Sequence, residues 1–370
     1  MKYHTFLLVL FVIHLSAADI TPLAIGTKAP DFKLLGTDGN KYSLKSFKKA
    51  DILVLIFTAN HCPTAQAYED KIIKLVDDYK EKGVAVVAIS SNHPAAVRLD
   101  ELGYSDLGDS FEDMKIRAKD KKYNFPYLYD GDNQEVALKY GPQATPHVFI
   151  FDQKRILCYQ GRIDDTENPY VQAKTTDTRN AIDALLDSKQ VPVETTKVFG
   201  CSMKWIEKVE WVKKGGADWA AQPVSVEKID SVAIAALVKN DSENFRLFNV
   251  WATWCGPCIV EFPELVKINR MYRGRNFEFI TISADKPEHH DRVLKFLKEK
   301  QAANQNYHFN SSNVYSLIDA VDPEWSGALP HTIFVAPGGK VLYRHAGLID
   351  PLELKQAIVD QLGRYYADNE

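Results

Sequence analysis

The sequence has 370 residues, of which 45% are hydrophobic and 25% charged, and its formal net charge at pH 7 is −4. This composition is ordinary for a globular protein, and the length suggests two or three domains. The slightly acidic balance, without a basic block, argues against nucleic acid as a partner. No internal apolar run is long enough to span a bilayer.

The first 18 residues have the pattern of a cleavable export signal. Lys2 supplies positive charge, residues 6–13 form a short apolar core, and Ser16 and Ala18 fit the small positions before a cut near Asp19. We therefore expect an exported protein, periplasmic if its source is a Gram-negative bacterium, that meets the membrane only through this signal before cleavage. A retained membrane anchor is the alternative. Five cysteines in an oxidising compartment leave at least one thiol free, reactive or transiently paired.

The two halves of the chain repeat one order of features. In each half an apolar strand runs into a cysteine, a second strand follows, and a residue-Pro-His step enters a further strand. These strands are predicted at 51–57, 84–90 and 145–151 in the first half, and at 245–250, 277–283 and 329–335 in the second. Strands that alternate with helical patterns predict the α/β class, with a central mixed β-sheet flanked by helices, and one long repeat predicts two tandem domains.

This repeat also sets the expected domain boundaries. We predict a signal peptide at 1–18, a first domain at 19–186, a linker at 187–230 that carries Cys201, and a second domain at 231–370. The linker contains three tryptophans, and side chains of this size favour packing on a domain surface. They are Trp205, Trp211 and Trp219.

The most informative motif is Trp254-Cys255-Gly256-Pro257-Cys258, which joins an apolar strand to a helix-like segment. A thiolate at a helix N-terminus is stabilised by unpaired backbone N–H groups and by the helix dipole. A second cysteine three positions later can close a small disulfide ring with the first. The pattern is typical of thiol–disulfide exchange. Because the sequence has no second CxxC and no Cys/His pair at zinc spacing, no metal is expected.

Residues 231–370 resemble the thioredoxin superfamily, and within it the exported TlpA/ResA-like oxidoreductases. The matching segments are 249–258, 261–263 and 329–330. This resemblance implies a thioredoxin fold in which Pro330 is cis and Glu261 is an active-site acid. Asn249 stands where cytoplasmic thioredoxin has a buried Asp, which favours the TlpA/ResA branch.

The residues of this motif have distinct expected roles. Cys255 is the nucleophile that forms a mixed disulfide with a client, and Cys258 then attacks Cys255 and releases the reduced client. Glu261, one helical turn after Cys258, is expected to manage its proton; an exposed helix glutamate is the alternative. A cis Pro330 leaves the preceding backbone free to pair with a client strand, with an ordinary trans proline as the alternative. The expected substrate-binding residues are Trp254, Gly256, Pro257 and Leu329.

The first half resembles the AhpC/TSA and redoxin families over about residues 25–205. The resemblance rests on the segments 26–34 and 38–44. The peroxidatic motif of that group, Pro-x-x-x-Thr/Ser-x-x-Cys, is not reproduced, since Leu55 and Ala59 stand at its first two fixed positions. This half is therefore expected to be a peroxiredoxin-like domain of thioredoxin fold that lacks the family's catalytic set.

A second redox site is predicted around Cys62, which the internal repeat aligns with Cys255. The neighbouring His61 would lower the pKa of the Cys62 thiol if it were charged. Ala65 stands where a second CxxC cysteine would be, so Cys201, on a glycine-containing segment, is the expected distant partner, and Pro146 completes the site. The alternatives are an inert, degenerate domain and a Cys62–Cys201 bridge that only fastens the linker.

The whole sequence predicts an exported thiol–disulfide oxidoreductase that reduces protein disulfides through Cys255 and Cys258, because CGPC is the sequence of the strongly reducing thioredoxin couple. Three alternatives stay open: a thiol peroxidase in which the second domain recycles Cys62, an oxidase or isomerase, and a first domain that only binds clients. The resemblance implies no cofactor. It implies protein disulfides or thiols as clients and a membrane thiol reductase of the DsbD/CcdA kind as the electron donor.

Overall fold

The computed structural model describes residues 20–366. The predicted export signal at 1–18 lies outside the described residues. Within residues 20–366, no helix is both long enough and apolar enough to cross a membrane.

The first domain is built on a seven-stranded mixed sheet with the strand order β2-β1-β5-β4-β3-β7-β8. Strand β4 is parallel to β3 and β5, whereas β7 is antiparallel to β3. The strands of this sheet are β1 Lys33–Gly36, β2 Lys41–Ser43, β3 Ile52–Thr58, β4 Val84–Ser90, β5 Tyr127–Tyr129, β7 His147–Phe151 and β8 Leu157–Gly161, and a short strand outside it is β6 Ala144–Thr145. The helices are α1 Pro63–Tyr79, α2 Phe111–Asp120, α3 Glu135–Tyr140 and α4 Asp177–Leu186.

The centre of this sheet is strand β3, all seven residues of which are buried. Its side chains alternate between two apolar clusters, one on each face of the sheet: Leu53, Leu55 and Phe57 join one, while Ile52, Val54 and Ile56 join the other. A continuous apolar run covered on both faces is typical of a central parallel strand. The carboxyl end of β3 therefore delivers Cys62 to a fixed place at the start of α1.

The second domain has a six-stranded mixed sheet with the order β10-β13-β12-β11-β14-β15. Strands β10 to β13 pair in parallel, and β14 is antiparallel to both β11 and β15. The strands are β10 Glu227–Ile229, β11 Phe245–Trp251, β12 Phe277–Ser283, β13 Gln305–Phe309, β14 His331–Val335 and β15 Val341–Ala346. The helices are α6 Ser231–Lys239, α7 Gly256–Tyr272, α8 His290–Glu299, α9 Val314–Val321 and α10 Pro351–Leu362. These two mixed sheets with flanking helices confirm the predicted α/β class and the tandem arrangement.

The segment 187–230 contributes to both domains. Strand β9, Cys201–Ser202, pairs antiparallel with β6 of the first domain, whereas β10 lies at the edge of the second sheet. Between them lies helix α5, Val209–Ala220. Of the three tryptophans expected to pack on a domain surface, Trp205 and Trp219 are buried, but the side chain of Trp211 is 74% exposed.

The two domains meet at the carboxyl end of α7. The Tyr272 hydroxyl donates to the carbonyl oxygen of Ser105 at 2.9 Å, and the Arg275 guanidinium donates to that of Gly103 at 2.9 Å. The same guanidinium stacks 3.9 Å from the ring centre of Tyr104. The contact thus uses one turn region of the first domain, residues 99–106.

The chain after α10 runs from the second domain onto the first. Arg364 forms an ion pair with Asp106, and the rings of Tyr366 and Tyr104 lie 5.0 Å apart. Burial alone would raise the pKa of Asp106, but the hydrogen bond and the charge of Arg364 hold it below its ordinary value. The last described residues are therefore fastened to the first domain.

Candidate active site

The CGPC motif forms a disulfide at the start of α7. Cys255 and Cys258 are bonded, and Cys255 is the N-cap residue of the helix. The backbone N–H of Cys258 points at the Cys255 sulfur at 3.3 Å. After reduction this N–H group and the helix dipole would stabilise a Cys255 thiolate. Cys255 is 5% exposed and Cys258 only 1%, so the first sulfur is the one nearer to solvent.

A buried carboxylate positions the loop that carries this disulfide. Asp285, which follows β12, accepts hydrogen bonds from the backbone N–H of Thr253 at 2.8 Å and from its hydroxyl at 2.6 Å. The hydroxyl of Ser283 donates to the same carboxylate at 2.9 Å. The turn between β11 and α7 is therefore fixed before any client binds.

Glu261 lies inside the domain, so the alternative of an exposed helix glutamate is excluded for this arrangement. Its side chain is buried and accepts a hydrogen bond from the Asn249 amide at 3.0 Å and from the backbone N–H of Ile349 at 3.1 Å. Burial raises the pKa of Glu261 above its ordinary value, although both hydrogen bonds oppose this. A carboxyl group with a raised pKa, one helical turn from Cys258, is suited to exchange a proton with a neighbouring thiol.

The surface around the disulfide is partly apolar and open. Trp254 is 62% exposed, and Gly256 and Pro257 are also exposed, so three of the expected substrate-binding residues face solvent. The fourth, Leu329, packs against the cluster that contains both sulfurs. The Leu329–Pro330 peptide bond is cis, as the resemblance implied.

The second predicted site is also brought together. Cys62 is the N-cap residue of α1, and its sulfur accepts from the backbone N–H of Ala65 at 3.4 Å. Cys201 packs against the small cluster that contains Cys62. The Cys62 thiol also lies 3.2 Å from the carbonyl oxygen of Thr145, which precedes the cis Pro146.

A buried ion pair lies beside this pair of thiols. Nδ1 of His61 is 2.6 Å from Oδ2 of Asp109, and both side chains are buried. Burial alone would lower the pKa of His61, but the charge and the hydrogen bond of Asp109 raise it. Burial would raise the pKa of Cys62, yet the hydrogen bond from Cys201 and the charge of His61 lower it to about 6.

Accessibility separates the two cysteines. Cys62 is fully buried, whereas Cys201 is partly exposed, with its sulfur 4.0 Å from the Tyr366 hydroxyl. The sequence suggested Cys62 as the reacting thiol and Cys201 as its partner. In the structure Cys201 is the more exposed of the two. Cys158 is also partly exposed, on the edge strand β8.

Two of the residues that shape these sites were not found from the sequence. Asp285 could have been noticed, because it lies two residues after a predicted strand whose carboxyl end lies beside that of β11. Asp109 gave no such signal. It lies in an irregular segment and reaches His61 across 48 positions of sequence.

Two segments of the chain match family models. Residues 25–160 match the AhpC/TSA family, and residues 238–358 match the Redoxin family. The thiol-disulfide oxidoreductase ResA of Oceanobacillus iheyensis is 28% identical over 109 residues, which make up 29% of this chain and 53% of that protein. The chain spans about half to two thirds of the length of the curated relatives that it matches.

Solved structures resemble about half of the chain. A hypothetical protein from Sinorhizobium meliloti 1021 is 35% identical, with a TM-score of 0.45, and the match covers 50% of this chain and 96% of that one. An uncharacterized conserved protein from Geobacillus kaustophilus is 38% identical, with a TM-score of 0.44, and the match covers 49% of this chain and 92% of that one.

Proposed function

The chain carries an AhpC/TSA domain followed by a Redoxin domain, and from this premise we propose that it is a thiol–disulfide oxidoreductase that reduces protein disulfides through Cys255 and Cys258. The observation that carries the proposal is the disulfide at the helix N-cap, with the exposed Trp254 on one side and the buried Glu261 behind it. The similarity to ResA supports the same chemistry.

The cycle begins with the reduced pair. The Cys255 thiolate attacks one sulfur of a client disulfide, and the other client sulfur leaves as a thiolate and takes up a proton. The Cys258 thiol gives its proton to Glu261, and its sulfur attacks Cys255, which releases the second client sulfur. Two electrons pass to the client, and Cys255 and Cys258 end as the disulfide seen in the structure.

Client docking uses the open surface around Cys255. Residues 326–330 form no strand, and the backbone of Leu329, directly before Pro330, has no hydrogen-bond partner among residues 20–366, so it can accept an extended client segment. Trp254 and Val260 are largely exposed apolar side chains on the same helix start. They supply contact area without requiring a particular client sequence.

The cellular setting belongs to the proposal as well. The leader-like pattern at 1–18 and the similarity to ResA support an exported protein that is periplasmic in a Gram-negative source. An exported reductase needs electrons from the cytoplasm, which supports a membrane thiol reductase of the DsbD/CcdA kind as its donor. In that role the Cys255–Cys258 couple should have a potential near that of thioredoxin, about −270 mV, and far from that of an oxidase such as DsbA, about −120 mV.

Peroxide reduction at Cys62 has less support. A hydroperoxide would have to reach a fully buried sulfur, and Ala59 stands where the family has a peroxide-polarising hydroxyl. A purely client-binding first domain also has less support, because β9 occupies the edge of β6 that an extended client would use.

The proposed function is tested by trapping the mixed disulfide. The full chain with Cys62→Ser, Cys201→Ser and Cys258→Ser, reduced and mixed with oxidised insulin, should form a covalent adduct that dithiothreitol cleaves, because the resolving thiol of Cys258 is absent. The matched Cys255→Ser variant should form none at this site. An adduct that forms equally with both variants, or with neither, would contradict the assignment of Cys255 as the nucleophile.

A further inference from the structure

In the first domain, a strand of the same chain occupies the place where the second domain leaves its backbone free. Ala144 and Thr145 of β6 pair with Ser202 and Cys201 of β9. This pairing lies directly before the cis Pro146, at the position that corresponds to Leu329 in the second domain. Strand β9 therefore binds as an extended client would, and it places a cysteine against Cys62.

The close approach of β9 is built into its sequence. Gly200 has φ of +124°, and a Cβ atom at this position would lie 2.1 Å from the carbonyl oxygen of Thr145. Only glycine allows the backbone to come so near in this conformation. The neighbouring cysteine is thereby held over the start of α1.

The environment of Cys62 favours its thiolate. The backbone N–H of Ala65, at the start of α1, donates to the Cys62 sulfur, and Cys201 packs against it. His61 is held by Asp109, and its Nε2 atom is buried without a hydrogen-bond partner among residues 20–366. A buried imidazole that is held by a carboxylate and has one nitrogen without a partner can take up the positive charge that would balance a thiolate at Cys62.

We propose that Cys62 and Cys201 form a second redox-active pair, which exchanges two electrons reversibly with the dithiol or disulfide of a partner protein through Cys201. This site differs from that of the proposed function and does not depend on it. Its second thiol comes from a distant strand instead of the CxxC position, which Ala65 fills.

The chemical step balances as a thiol–disulfide exchange. In the oxidised site, a partner thiolate attacks the Cys201 sulfur, the Cys62–Cys201 bond breaks, and the electron pair remains on Cys62 as a thiolate. A second partner thiolate then attacks the partner sulfur in the mixed disulfide and releases Cys201, which takes up a proton. The partner dithiol becomes a disulfide, and the site becomes a dithiol. The reverse sequence reoxidises the site with a partner disulfide.

The accessibility of the two sulfurs sets this order of events. Cys62 is fully buried and cannot be reached by a partner sulfur, whereas Cys201 is partly exposed. Attack on Cys201 makes Cys62 the leaving group, and a thiolate with a low pKa leaves faster. Tyr366 stands beside Cys201, so a partner must pass the end of the second domain.

The two redox sites cannot exchange directly in this arrangement. Cys255 caps the start of α7, whereas the first domain contacts its far end at Tyr272, 17 residues away and thus about 25 Å along the axis. Helix α10 runs in the same direction as α7. Ile349, just before α10, contacts Glu261 near the start of α7, and Leu362, at the end of α10, contacts Arg275 just after the end of α7. The partner of Cys201 is therefore another protein.

The pairing is tested in the full chain with Cys255→Ser and Cys258→Ser, so that the first site is silent. The protein is equilibrated in glutathione buffers of increasing oxidation and alkylated, and the cysteine peptides are identified by mass spectrometry. We expect Cys62 and Cys201 to pass from two alkylated thiols to one linked peptide within the range of the buffers, while Cys158 stays alkylated. Free thiols throughout, a link to Cys158, or a Cys62–Cys201 link that millimolar reduced glutathione cannot open would each overturn the proposal.

A second experiment, in the same chain with Cys255→Ser and Cys258→Ser, tests which of the two sulfurs is attacked. With Cys62→Ser added, glutathione disulfide should form a stable adduct at Cys201; with Cys201→Ser added instead, Cys62 should react at least tenfold more slowly because it is buried. Equal rates, or faster reaction at Cys62, would contradict the role of Cys201. Because neither experiment uses Cys255 or Cys258, their failure would leave the proposed function of the second domain untouched.

Discussion

At the scale of single residues, the two domains place different groups one helical turn beyond the second position of the CxxC pattern. In the second domain this group is Glu261, hydrogen-bonded to Asn249 and to the backbone of Ile349. The internal repeat puts Tyr68 at the corresponding place in the first domain, where its hydroxyl donates to Asp164 at 2.6 Å. A tyrosine bound in this way cannot take a proton from a thiol near neutral pH. The proton acceptor is therefore specific to the second domain.

Replacing Glu261 with Gln should slow disulfide reduction at neutral pH by about ten- to a hundredfold, the low end of what a proton acceptor contributes. In the native protein the rate should rise with pH as Glu261 loses its proton, through a pKa above its ordinary value. The variant should lose this rise. The measurement is the pH profile of insulin reduction by the full chain.

Glu264→Gln is the matched control, since Glu264 lies on the same helix and forms an ion pair with the exposed Lys267. Its pH profile should be that of the native protein.

The stability of the Glu261→Gln variant gives an independent readout. Because burial raises the pKa of Glu261, its ionised form destabilises the fold above that pKa, and Glu261→Gln should raise the melting temperature at pH 7 but not at pH 4. An unchanged pH profile in Glu261→Gln would contradict its role as proton acceptor.

The residues of the disulfide site were predictable because they are close in sequence. Cys255, Cys258 and Glu261 lie within seven positions, and the helix brings them together whatever the rest of the chain does. Asp109 differs, because an irregular segment brings it to His61 and no local pattern marks such a contact. The partnership of Cys62 and Cys201 was predicted, but the exposure of Cys201 depends on packing and was not.

At the scale of elements, the predicted strands agree with the observed ones where the apolar runs are long. Strands 84–90 and 277–283 have the predicted bounds, and 51–57 and 245–250 are each within one residue. Long, mostly apolar runs such as these can be recognised from the sequence as buried strands. Strand β9 has two residues, and only its contact with β6 makes it a strand, so no sequence pattern could reveal it.

Gly200→Ala should separate β9 from β6, because the added methyl group would meet the carbonyl oxygen of Thr145 in a backbone conformation that alanine avoids. We expect formation of the Cys62–Cys201 disulfide to fall at least tenfold, with a loss of about 1–3 kcal/mol in the free energy of unfolding. The measurement is the fraction of linked peptide in an oxidising glutathione buffer.

Gly215→Ala is the control for this change. Gly215 lies in α5, and a Cβ atom there would contact nothing within 4 Å. In a helix interior this substitution should stabilise the protein by about 0.5–1 kcal/mol and leave the disulfide unaffected. If Gly200→Ala and Gly215→Ala form the disulfide equally well, β9 does not hold Cys201 in place.

At the scale of the whole molecule, the end of the second domain is fastened beside the redox pair of the first. Arg364 is the charged group of this contact: it pairs with the buried Asp106 on the first domain and with the exposed Asp360 of α10. Arg364→Ala should lower the free energy of unfolding by about 2–3 kcal/mol, because it leaves Asp106 without its main partner. It should also speed the reaction of Cys201 with glutathione disulfide, since the chain that carries Tyr366 is released.

Asp360→Ala isolates the inter-domain part of this effect. It removes only the exposed partner of Arg364, so the stability should change by less than about 0.5 kcal/mol and the reactivity of Cys201 should not change. Unfolding in urea and thiol mass spectrometry provide the two readouts. Both variants should reduce insulin at the rate of the native protein, because the Cys255–Cys258 disulfide lies at the other end of α7. Equal effects of the two substitutions would show that the ion pair with Asp106 does not hold the domains together.

Because residues 187–230 contribute to both domains, they decide where the protein can be cut into two fragments. A fragment that ends at 186 would lack Cys201, and one that starts at 231 would lack β10 and the buried Trp219, whose ring packs in the same cluster as both sulfurs of the CGPC disulfide. A cut within α5, before the buried Trp219, would leave Cys201 in the first fragment and Trp219 and β10 in the second. Even there, the first half would lose the neighbouring Arg364 and Tyr366, so its cysteine chemistry in isolation would be that of an uncovered site.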